Sequence, residues 1–172
     1  MSFGVAFYMT KYEELCGAFQ QSVQDWRTHK RRAVIFVSRL LEGFVSYLNA
    51  PKDEVRFAPP ESESQDLAEP QGSTNYAPMD AAELQNDGWW VAYVQLTRLC
   101  AVFQFRVRVE PDKFTVQIGD SKQRHTILDG HDAALEAVYQ EACDLGKQYF
   151  ESGLQRFFDE TGGNRPRKIG FV

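Results

Sequence analysis

Long hydrophobic runs are missing from this chain. None of its 172 residues falls in an uninterrupted apolar stretch of the roughly 18 that a membrane span needs. The longest candidate, Trp89 to Phe105, is broken by Gln95, Thr97, Arg98 and Gln104. A soluble protein with no membrane partner is therefore expected. Met1 to Met9 is mildly apolar but lacks a basic region and a small-residue cleavage site, so a cytoplasmic location is expected rather than export. Cysteine is scarce and odd in number: Cys16, Cys100 and Cys143 lie far apart and cannot close a complete disulfide framework. They read as reduced, buried thiols, and none has the nearby glycines or histidine that would mark a nucleophile. Glycine-rich phosphate loops, Gly-x-Ser-x-Gly elbows, His-Glu-x-x-His and Cys-x-x-Cys pairs and internal repeats are all absent. No cofactor and no metal are expected.

Positive charge is also short. The net charge is -5, and the segment Pro51 to Gly88, with nine acidic residues against Lys52 and Arg56, carries -7 of it, leaving +2 elsewhere. Phosphate affinity depends on lysines and arginines that displace counterions, so nucleic acid is an unfavoured partner. Hydrophobic residues at 43% and charged residues at 25% are nevertheless ordinary for a folded protein, and the length suits one domain spanning 1–172.

The clearest local pattern is strict alternation from Ala101 to Val109, with Ala101, Phe103, Phe105, Val107 and Val109 at every second position. A period of two marks a strand with one face on a core. Trp89 to Leu96 reads as the strand before it, Lys113 to Gly119 as the one after, and Arg124 to Leu128 as a weaker fourth. Turns are expected at Asn86-Asp87-Gly88, near Thr97-Arg98-Leu99, at Glu110 to Lys113 and at Gly119 to Lys122. Glu54 to Ala58 fits a short edge strand. Asp80 to Gln85 fits one helical turn.

Helical spacing brackets this sheet. Thr10-Lys11-Tyr12-Glu13 is a capping box, and apolar residues follow at Tyr12, Leu15, Cys16, Phe19, Val23 and Trp26, then from Val34 to Leu48, stopping at Asn49-Ala50-Pro51. Two helices with a break near Thr28, or one of ~38 residues and roughly 57 Å, both fit, and the longer form would need a partner or second copy to cover its excess. Asp129 is expected to open a last helix carrying Leu135, Val138, Ala142, Leu145, Tyr149, Leu154 and Phe157, stopped by Gly162-Gly163. A flexible acidic loop is expected at 59–78 and a basic tail at 162–172. The fold class is thus α+β, two-layered: an antiparallel meander of four or five strands with the long N-terminal helix or helix pair and the C-terminal helix on one face.

Three groups of residues invite a functional reading. His125, Asp129, His131 and Asp132 crowd a strand-to-helix junction and could suit a metal or acid-base site, but capping explains two aspartates three apart at a helix start without invoking chemistry and is the favoured reading. Arg27, Lys30 and Arg31 lie in the densest basic run, a solvated helix face or a binding patch. Trp89 and Trp90, adjacent in a strand, must point to opposite faces, so one of them either packs under the acidic loop, the simpler reading, or serves as an interface anchor. Gln104, Arg106, Arg108, Lys113, Thr115 and Gln117 form the sheet's polar face; since the aromatics of those two strands lie on the opposite side, it reads as solvent-exposed rather than RNA-binding. The expected role is a non-catalytic protein-interaction module, of adaptor, chaperone-like or immunity-like kind, acting as a homodimer. A small enzyme using His125, Asp129, His131 and Asp132, and a nucleic-acid-binding accessory protein, are the alternatives.

Overall fold

The computed structural model describes residues 10–60, 75–152 and, as backbone, 167–169. Most of the acidic loop expected at 59–78, the helical positions Leu154 and Phe157, the Gly162-Gly163 stop and most of the basic tail lie outside the described residues. The chain divides into two compact units, Met1–Arg32 and Ala33–Val172.

One helix, not two, occupies the N-terminal region: α1, Lys11–Leu48. The basic run Arg27 to Arg32 holds neither proline nor glycine, so a charge in the apolar stripe does not end the helix. Its start is the expected capping box: Thr10 N–H donates to Glu13 Oε2 at 2.6 Å and Glu13 N–H to Thr10 Oγ1 at 3.2 Å. These Thr10 donors hold the Glu13 carboxyl below its ordinary range. Its end is Asn49, at φ 51°, with Ala50 N–H returning to Val45 O at 3.3 Å before Pro51. In the first unit no described residue of the helix is buried.

The second unit is built on the sheet. Its main path runs β1 (Val55–Ala58), β3 (Trp90–Leu96), β4 (Ala101–Val109), β5 (Lys113–Ile118) and β6 (His125–Leu128), all antiparallel, with β3 to β6 forming the meander. Two short strands fill gaps along it. β2 (Glu83–Leu84) pairs with Val91 and Trp90, on the stretch of β3 that β1 leaves open. It replaces the helical turn expected there, which is limited to a 3-10 turn at Pro78–Asp80. β7 (Arg167–Ile169), inside the basic tail, pairs parallel with Ala101 to Phe103, where β5 does not reach.

Both helices contribute to one core on one face of this sheet. From α1 come Ala33, Phe36, Val37, Leu40, Leu41 and Phe44. The last helix, α2 (Leu135–Glu151), adds Leu135, Val138, Tyr139 and Ala142. The Phe36 ring stacks on Phe114 with centroids 3.9 Å apart, and Phe44 meets Phe103 and Phe105 edge-on at 5.1 and 5.0 Å. Edge-on and offset contacts of this kind add about 0.5–1.5 kcal/mol each beyond area burial. The helices meet closely enough that a Cβ on Gly43 would lie 2.1 Å from the Tyr139 hydroxyl oxygen.

The last helix begins later than the aspartates suggested. Asp129-Gly130 is a turn, Asp132–Ala134 a 3-10 turn, and α2 starts at Leu135 with Ala134 at its N-cap and no side-chain cap. Asp129 is therefore not the N-cap of α2. The positive φ of Gly130, 81°, turns the chain here instead.

Gly43→Ala should destabilise the protein by about 1–3 kcal/mol, because the added methyl must displace a packed phenol. Urea denaturation followed by far-UV circular dichroism measures this, and an unchanged midpoint would contradict the close approach.

Candidate functional site

The four residues His125, Asp129, His131 and Asp132 do not converge. His125 Nε2 meets Glu141 on α2, with both side chains largely buried. Ser121 Oγ donates to the other Glu141 oxygen at 2.6 Å and accepts from Gln123 N–H at 3.1 Å. In a hydrolytic triad the histidine stands between hydroxyl and carboxylate so that it can take the proton. Here the carboxylate stands in the middle, so the imidazole has no hold on the hydroxyl, and the arrangement ties the β5–β6 turn to α2. Asp132 faces another way, toward Arg39 at 3.2 Å, and His131 is exposed, its Nδ1 3.4 Å from Asp129 O. No set of three metal-ligating side chains assembles among the described residues. Glu141 is the partner that local sequence could not reveal, since it enters only when α2 packs beside β6.

Asp132 acts on a different group. Tyr139 has its phenol pushed up from 10.0 to about 12, first by burial and then by the Asp132 charge, with Arg39 opposing.

The tryptophan pair is buried on both faces. Trp90 lies in the main core at 3% exposure, and Trp89, at 6%, lies opposite in a small cluster with Val91, Tyr93 and Val102. Neither is an exposed anchor. The reason is register: Val91 pairs with Arg106 and Tyr93 with Gln104, which places the arginines of β4 beside Trp89. The guanidiniums of Arg106, Arg108 and Arg124 sit 5.2, 5.4 and 5.6 Å from its ring. Asp87 completes the group, accepting from Arg106 at 2.5 Å and from Trp89 N–H at 3.2 Å, in a turn where Gly88 has φ 81°. The polar face is not simply solvent-exposed either. Gln104 is buried and donates to Tyr93 Oη at 3.0 Å, and buried Gln117 donates to Gly119 O at 3.2 Å. Aromatics do share this face, Tyr93 from β3 and Trp89 just before it, but the Trp89 indole is already covered by the chain's own guanidiniums.

The cysteines are free, as expected, but none is buried: Cys100 is exposed and Cys16 and Cys143 are half-buried. Cys100 stands at φ 49° in the β3–β4 turn, which brings it to the surface.

Several large apolar residues stand exposed. On α1 of the first unit, Tyr12 and Leu15 are 75% and 70% exposed, Phe19 is 70% exposed, and Trp26 is 47% exposed with its ring stacked on His29 at 5.8 Å. Arg27, Lys30 and Arg31 are exposed at the end of this unit. The sequence spacing marks these apolar residues as one helical stripe, but only the structure separates its bare part from its covered part.

No family model, curated protein or solved structure matches the chain. Among the described residues, no helix is long and apolar enough to cross a membrane.

Two outcomes are expected. Trp89→Ala should cost about 3 kcal/mol in urea denaturation, as for a core aromatic; a loss below about 0.5 kcal/mol, the level of surface changes, would return Trp89 to the surface. The Tyr139 phenol keeps its proton in the folded chain to about pH 12 while the unfolded chain releases it near 10.0. Its stabilising effect is whole below pH 10.0 and is lost as pH rises from there to about 12. Tyr139→Phe should remove that alkaline fall, and an identical fall in both proteins would refute it.

Proposed function

We propose that this protein is a cytoplasmic, non-catalytic protein-interaction module whose recognition element is residues 11–32 of α1. The observation that carries this reading is the exposed stripe Tyr12, Leu15, Phe19 and Trp26 on a helix of the first unit. Single exposed apolar residues are ordinary on protein surfaces, but contiguous large ones mark binding faces. Anchors three, four and seven residues apart are the form in which one helix enters the apolar groove or seam of another. Aromatic side chains supply much of the energy in such contacts. The free, exposed Cys100 thiol suits a reducing compartment.

The reading is tested by placing a photo-reactive amino acid at Phe19 on the stripe, or at Gln24 on the opposite side, in the full chain in its native cell. Protein adducts from Phe19 but not from Gln24 are expected. No adduct from Phe19, or equal yields from both positions, would overturn the reading.

A further inference from the structure

We propose that the exposed stripe of residues 11–32 is covered by the same stripe of a second copy of this chain, with the two helices antiparallel. This inference rests on the preceding reading that the stripe is the interaction surface and adds the identity and direction of the partner.

The spacing is that of a coiled coil. Tyr12, Phe19 and Trp26 recur every seven residues, as do Cys16, Val23 and Lys30 between them, giving alternating steps of four and three. The same two series continue as Ala33 and Leu40, and as Val37 and Phe44, which are buried within the second unit. One pattern therefore has a cover over its later members, while Tyr12 and Phe19 among its earlier ones stand exposed. Tyr12 and Phe19, at 75% and 70% exposure, and Leu15 beside them, are the residues that gain most from a matching surface.

A second copy fits this surface in one direction. With the helices antiparallel and the two-fold axis near Gln21, Phe19 lies opposite Val23, Trp26 opposite Cys16 and Tyr12 opposite Lys30 of the other copy, so every seam position meets a seam position. A lysine in such a seam passes its methylenes over the facing ring and keeps its ammonium in water. The flanking charges then complement each other, since Glu13 of each helix stands beside Arg27 of its partner, twice by symmetry. Glu13 spends only one carboxylate oxygen, Oε2, on both of its bonds to Thr10. Parallel helices would instead stack Lys30 on Lys30 and set Arg27 beside Ser22 of the partner, with no Glu13 in reach. Like charges at that separation are unfavourable, and the helix polarity is decided by them. About three heptads make a small interface, so a dissociation constant of roughly micromolar order is expected.

The test uses the full-length chain. Sedimentation equilibrium from about micromolar to about millimolar should show a mass moving from one chain to two, and Phe19→Ser should weaken this about tenfold or more. Arg27→Glu reports direction: with antiparallel helices it sets a second carboxylate against Glu13 and weakens association, and with parallel helices it stands beside Ser22 and leaves association unchanged. Glu13→Gln, which retains the capping box, should weaken association modestly. Direction is read a second time by oxidising Trp26→Cys in a Cys100→Ser, Cys143→Ser background. A 16–26 disulfide between copies is expected, since in one helix those positions are about 15 Å apart and beyond disulfide reach. Linkage of 16 to 16 with association unchanged by Arg27→Glu would overturn the antiparallel arrangement. A chain that stays monomeric at about millimolar concentration overturns the self-association, whether or not it binds anionic phospholipid vesicles. If that monomer still yields adducts with a different protein from Phe19 in the cell, the interaction reading stands and only this inference falls; with no adducts, both fall.

Discussion

Phe44 wedged edge-on between Phe103 and Phe105 is the contact on which the second unit depends. It locks the later half of α1 to the centre of β4, the strand that pairs with β3, β5 and β7. Phe36 stacked on Phe114 repeats the lock two turns earlier and extends it to β5. Once α1 lies there, the residue beside Phe44 must leave room for the Tyr139 ring, and Gly43 does. The placement of α2 follows, with Val138, Tyr139 and Ala142 buried in the same core and Glu141 turned outward to His125 and Ser121. Interiors packed at this density transmit a change in one side chain to its neighbours.

The other face of the sheet is organised by charge as much as by apolar burial. Trp89 gathers three guanidiniums, and Asp87, reached through the Gly88 turn, anchors Arg106 among them. An indole face attracts cations through its quadrupole, and a carboxylate within hydrogen-bonding distance offsets part of their mutual repulsion. The buried amides of Gln104 and Gln117 find partners in Tyr93 and Gly119, so their burial does not leave unmet hydrogen bonds. Groups that would serve as binding elements on an open surface are occupied here by neighbours in the same chain.

Much of the architecture was legible because it is local. Alternation from Ala101 to Val109 set the strand and its inward face, Pro111 and the Asn86-Asp87-Gly88 triplet marked turns, and Thr10 with Glu13 marked the start of α1. The misread positions have long-range causes. Glu83-Leu84 became a strand because an open stretch of β3 offers it hydrogen bonds, and β7 found the same on β4. Asp129 and Asp132 resembled caps, yet Gly130 turned the chain before the helix could begin. His125 and the neighbouring acids looked like one site from their proximity in sequence, but a strand and a 3-10 turn point His125 at Glu141 and Asp132 at Arg39.

By itself the sequence determined which residues form helices and strands and which side of each is apolar, because the periods 3.6 and 2 are properties of the backbone. It also set the seven-residue spacing from Tyr12 to Leu40 and the charges that flank its first part. Only the tertiary structure decided which stretch of that seam is covered, since Leu40 and Phe44 meet the sheet while Tyr12 and Phe19 stand in solvent. The same holds for Trp89, whose surroundings come from three separate strand and loop positions brought together by register. Burial is a relation between distant parts of a chain, so periodicity reveals a surface fit to be buried and only packing shows whether anything buries it.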